Sequence, residues 1–81
     1  MATKSIHSKQ YAAFLKILVQ ERKSAHITQQ ELASRLGKPQ SYISKLESAE
    51  RRMDIVEFLA ITSALGIDPC VVIKKLARTP Q

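Results

Sequence analysis

Apolar side chains return every three or four positions through most of this chain. Tyr11, Phe14, Leu15 and Leu18 fall at i, i+3, i+4 and i+7, with Ile17 and Val19 widening the stripe and Lys16, Gln20, Glu21 and Lys23 left outside. That period places one face of a helix against a core, and Ser8 stands where an N-cap would. A shorter stripe, Leu32, Ala33 and Leu36, follows Thr28 and Glu31, spaced as a capping box, and stops at Gly37, which suits a left-handed residue past a helix end. The spacing predicts a helix from Gln29. Pro39 fits the first turn of a third helix, in which Ile43 and Leu46 point inward. Asp54 and Glu57 form another capping box, ahead of Ile55, Phe58, Leu59, Ile61, Thr62 and Leu65, expected mainly inward, with Gly66 as the stop. Asp68 and Pro69 open a fifth helix, on which Ile67 can staple to Val72. No run of period-two alternation is bounded by turn residues, so the fold expected is all-α with five helices.

The third of these helices carries Gln40, Ser41, Ser44 and Lys45 on its polar side. Short polar groups with one cation, on a helix set at an angle to its neighbour, are suited to base edges in a major groove. The stretch Thr28–Glu47 as a whole, T-Q-x-E-L-A-x-x-L-G followed by S-x-I-S-K-x-E, resembles the helix-turn-helix of the Cro and lambda-repressor type, the XRE family, and the likeness extends from about Leu18 to Asp68. The resemblance implies a compact, lambda-repressor-like domain whose helices 2 and 3 form the motif, with residues 39–48 as the recognition helix. Side-chain chemistry then suggests that Gln40 reads adenine and Lys45 reaches guanine acceptors, while Ser41 and Ser44 read less sharply.

The family likeness assigns further roles. Gln29 matches a position that donates an amide hydrogen bond to a phosphate, and Arg51 and Arg52 stand where the family's loop meets the sugar-phosphate backbone. Tyr42 is expected either to contact a phosphate through its hydroxyl or to cover the core edge. Arg22 is expected to pair with Glu47 as a structural ion pair fixing helix 1 against helix 3. His26 and Ala49 occupy turns where relatives commonly have glycine. Histidine enters the left-handed region more readily than most residues, whereas an alanine there is either strained or part of a different turn.

Eighty-one residues with 44% apolar content fit one domain, 1–81, with a flexible arm at 1–6 and a flexible tail at 79–81. A formal charge of +6 suits a polyanionic partner, and by itself fits a membrane surface or an acidic protein as well. The single cysteine, Cys70, excludes an internal disulfide and suggests a buried thiol in a reducing compartment. No apolar stretch approaches the ~20 residues of a membrane span, so a cytoplasmic, nucleoid-associated protein is expected. His7, His26 and Cys70 share no metal-ligand spacing, and neither a metal nor a cofactor is implied. No nucleophile is matched with a base and no glycine loop cradles phosphate, which disfavours an enzyme. Helix 5 bears more apolar surface than one small core absorbs, and Val72, Ile73 and Leu76 are the residues expected at a homodimer interface. The function expected is sequence-specific binding of double-stranded DNA by a homodimeric transcriptional regulator. An antitoxin, or another module that binds a cognate toxin or other protein with the same fold, is the alternative.

Overall fold

Why each helix begins and ends where it does is settled by a few polar groups. The computed structural model describes residues 8–79, and the arm at 1–6, His7 and the last two tail residues lie outside the described residues. Five helices follow one another: α1 Lys9–Ser24, α2 Gln29–Arg35, α3 Gln40–Glu47, α4 Ile55–Leu65 and α5 Pro69–Ala77. The hydroxyls of Ser8 and Thr28 accept from the backbone N–H groups of Tyr11 and Glu31, and the Asp68 carboxylate accepts from Cys70 N–H. The Asp54–Glu57 capping box is complete in both directions. At Thr28 only half of the expected box forms, because the Glu31 carboxylate turns along its own helix to Arg35 at 2.9 Å. Arg35 in turn donates to the Ala64 carbonyl at 2.8 Å, clamping α2 to α4. Pro39 is the N-cap of α3 with extended ψ of 157°, one residue outside the helix predicted to contain it.

Helices α1 to α4 stop by the same device. In each, the residue after the last turn is left-handed, and the next amide reaches back to close a six-residue loop: Ile27 N–H to Arg22 O, Lys38 to Ala33, Glu50 to Lys45, and Ile67 to Thr62. Glycine fills the left-handed position at Gly37 and Gly66, but His26 (φ 60°) and Ala49 (φ 65°) fill the other two. A side chain in that region costs about 1–2 kcal/mol, and glycine recovers part of it against the extra entropy of its unfolded chain, about 0.4–1 kcal/mol. His26 is exposed and gives up no packing. We therefore expect His26→Gly to stabilise the domain by about 0.5–1 kcal/mol, a rise in Tm of about 2–8 °C; an unchanged or lower melting temperature would show that His26 carries no strain. Ala49→Gly should gain less, since its methyl group packs against the core.

The core is a single cluster drawn from every helix: Leu15 and Leu18 of α1, Leu32 and Ala33 of α2, Ile43 and Leu46 of α3, Phe58, Ile61 and Leu65 of α4, and Val72 of α5, with Ile27 and Met53 from the connections. Helix α1 packs along α5, and α2 and α3 pack on one another. Tyr11 ties the start of α1 to the loop before α4, its hydroxyl accepting from Met53 N–H at 3.0 Å.

Three expectations about burial are corrected. Ile55 and Leu59, expected inward, are 63% and 48% exposed, because they lie around the helix from the arc that Phe58, Ile61 and Leu65 turn to the core. Val72 is 0% exposed and cannot lend itself to a partner. Cys70 is exposed, since the second position of α5 lies on the side turned from Val72.

Candidate nucleic-acid interface

Helix α3 is held to the domain by Ile43 and Leu46, each 1% exposed, and this fixes which side faces outward. Gln40, Ser41 and Lys45 are exposed and Ser44 is half-buried at the edge of the same side. Positions i, i+1, i+4 and i+5 of a helix lie on one face, so the structure brings the four expected base-contacting residues together. The helix presents about 12 Å of length at 1.5 Å per residue.

Two carboxylates organise the surroundings. Glu47, at the end of α3, accepts from Arg22 through both oxygens, Nε to Oε2 at 2.7 Å and Nη2 to Oε1 at 3.1 Å. The remaining arm of Arg22 donates to the Ile27 carbonyl at 2.8 Å. Both side chains are largely withdrawn from water, 9% and 15% exposed. A fork-to-fork pair of this kind sets orientation as well as distance, so it fixes α3 against α1. Gln29 joins it, donating its amide to Glu47 Oε1 at 2.7 Å, while Gln40 approaches the Gln29 oxygen at 3.4 Å. The chain Gln40–Gln29–Glu47–Arg22 thus runs from the outer face of α3 into the interior.

The second carboxylate is Glu57, a role not legible in the sequence. Its Oε2 accepts from the Tyr42 hydroxyl at 2.8 Å and from Arg51 Nη1 at 2.6 Å. Its Oε1 holds the Asp54 N–H at 3.0 Å. Burial alone would lift the Glu57 carboxyl, but the Asp54 amide, the Arg51 guanidinium and the Tyr42 hydroxyl outweigh it and hold it below the ordinary value. Burial first, and then the nearby carboxylate, push the Tyr42 phenol upward, keeping it a donor. Of the two expectations for Tyr42, the ring packs against the core edge and the hydroxyl is directed at Glu57.

The cations fall around these groups. Lys38 Nζ and the Arg51 guanidinium each lie 5.2 Å from the centre of the Tyr42 ring, and Arg52 lies 5.6 Å from that of Tyr11. Lys38 was not singled out by sequence reasoning. Its position just past Gly37, at the open end of the turn between α2 and α3, was the available signal. Arg51 and Arg52, which follow α3 in sequence, are exposed, and Arg51 shares the Tyr42 ring with Lys38 from the preceding turn, so cations from both flanking segments gather there.

Ile73, half exposed, and the partly buried Leu76 line a shallow groove of about 500 Å³ together with Tyr11, Phe14, Ile55 and Phe58. With Val56 and Leu59 beside it, this apolar face is wider than helix 5 alone. No single helix among the described residues is long and apolar enough to cross a membrane, and α4 and α5 are bent by 118° to one another.

The helix-turn-helix family profile matches residues 18–72. Among solved structures, the XRE-family like protein from Pseudomonas syringae pv. tomato str. DC3000 is 51% identical, with a TM-score of 0.85 over 98% of this chain and 100% of that one. No curated protein matches the chain.

Proposed function

Because the chain belongs to the XRE family of helix-turn-helix DNA-binding regulators, we propose that it binds a specific duplex operator by docking α3 in the major groove, as a homodimer. The observation that carries this is the anchoring of α3: two buried residues turn Gln40, Ser41, Ser44 and Lys45 outward on one face. Exposed basic residues near the helix, Lys38 and Arg52 among them, would meet the phosphates that flank a groove.

The length of α3 argues for a dimer. About 12 Å of helix spans roughly four base pairs at 3.4 Å each, too few to mark a unique site. Two copies related by a twofold axis would read half-sites about 34–36 Å apart and hence an inverted repeat. The exposed and partly exposed apolar residues of α4 and α5, Ile55, Ile73 and Leu76 at the groove with Val56 and Leu59 on α4, would form the dimer interface, without Val72.

Selection of bound sequences from a random duplex pool tests the reading. An enriched inverted repeat supports it, whereas the absence of any enriched sequence would overturn sequence-specific binding. The dimer is tested separately. Ile73→Glu should raise the dimer dissociation constant about 30-fold or more, equivalent to about 2 kcal/mol, with little change in Tm because the side chain is half exposed. Val72→Ala should do the reverse, lowering stability by about 2 kcal/mol and leaving association intact. A chain that sediments as a monomer at high concentration would leave the apolar face to another protein, the toxin of the alternative reading.

A further inference from the structure

Tyr42, half-buried on α3, and the exposed Arg51 just past its end converge on a single oxygen of Glu57, at 2.8 and 2.6 Å. Two donors meeting on one anionic oxygen is the arrangement a phosphate oxygen would receive. The carboxylate is not free to swing aside. Its other oxygen is held by the Asp54 amide, and Asp54 in turn accepts from Glu57 N–H at 2.7 Å, so leaving would open the cap of α4. The Glu57 side chain is 16% exposed against 48% for Arg51, which places the anion behind the cation as seen from solvent.

We propose that Glu57 is an internal counter-anion that withholds Arg51 and Tyr42 from the DNA backbone and so lowers the sequence-independent part of the affinity. The inference rests on the DNA-binding reading above. A phosphate arriving at this point competes with a carboxylate already in place, at a local concentration no free anion reaches. Binding is left to depend more on α3.

Glu57→Gln removes the charge while keeping an acceptor for the Asp54 amide, and glutamine is accepted at this position of a capping box, so thermal melting of the same preparation should be near wild type. The measurement is the affinity for a random-sequence duplex between 50 and 200 mM salt. One further phosphate contact steepens the logarithmic salt dependence by about 0.9; Glu57→Gln should therefore lose about 3.5-fold more affinity than wild type over that range, and bind more tightly at its lower end. In an Arg51→Ala background the same change should leave the slope where it was. A wild-type slope, or weaker binding, for Glu57→Gln would mean that Glu57 orients Arg51 for DNA instead of withholding it. A full effect persisting without Arg51 would reduce Glu57 to a distant charge and likewise overturn the proposal. Wild-type protein that does not bind the random duplex at 50 mM salt would remove the DNA reading itself, and this inference with it.

Discussion

Replacing Glu47 by alanine is expected to remove about 3–5 kcal/mol of stability. The substitution leaves the guanidinium of Arg22, a residue only 7% exposed, with a single carbonyl partner at Ile27. It also strands the Gln29 amide. Uncompensated charge away from water is the costly outcome, far more than the pair itself contributes, since desolvating two ions offsets most of their attraction. A domain of this size has about 4–12 kcal/mol of stability in all, so a drop in Tm of about 12 °C or more is expected. Glu50→Ala is the control. Glu50 is exposed, accepts one hydrogen bond from Ser48 at 2.9 Å, and should matter by no more than about 0.5 kcal/mol. Denaturant or thermal unfolding of the two variants side by side decides the matter, and equal stabilities would show that the pair does not hold α3 in place. Replacing both Arg22 and Glu47 by apolar residues of similar volume should cost much less than Glu47→Ala alone, because no charge is then left behind.

Gln40→Ala is expected to cost about 1–3 kcal/mol of discrimination, roughly 5- to 150-fold, at one or two positions of the operator and little elsewhere. The argument is that Gln40 is exposed on the face α3 presents, yet is not loose: its amide nitrogen lies 3.4 Å from the Gln29 oxygen. A glutamine whose free rotation is limited before binding loses less entropy on docking. Lys45→Ala should relax a different position, as a point charge five residues and more than one turn further along the helix. The test is competition between the selected sequence and single-base variants of it, for wild type and each substitution. Uniform loss across all variants would reassign Gln40 to the backbone, and no loss at all would remove α3 from the specificity-determining surface.

What the sequence made legible is what local chemistry determines. Thr28, Asp54 and Asp68 announce helix starts because a side-chain oxygen next to an orphan amide has few other uses, and Gly37 and Gly66 announce stops because the left-handed region excludes most residues. The face of α3 followed from Ile43 and Leu46, whose spacing leaves only one side for Gln40, Ser41, Ser44 and Lys45 to occupy. The failures are all matters of distance in space. Ile55 and Leu59 have the period of core residues, but which arc of a largely apolar helix meets the core depends on where its neighbours lie. Val72 was assigned outward for the complementary reason: the capacity of the core cannot be counted from one helix. Glu31 satisfies the pattern of a capping box and still prefers Arg35, since two geometries of similar energy compete for one carboxylate. The Glu57 cluster joins residues 42, 51 and 57 from three segments, and no spacing rule connects them.

The clasp between the Tyr11 hydroxyl and the Met53 amide, 42 residues apart in sequence, belongs with two others of the same kind: Arg22 on Glu47, and Lys75 on Glu21 at 2.6 Å. Each fastens α1 to a later part of the chain. Until those later parts exist, the apolar stripe of α1 has little to lie against, and a fragment ending before α5 keeps Glu47 and Met53 but lacks the helix that packs along α1. The domain therefore has no smaller folded half. Helix α3, eight residues long and too short to persist alone, cannot melt and re-form as a local lid; it is present or absent with the whole molecule, which keeps its outer face rigid and gives a protease a single all-or-none opening to act on.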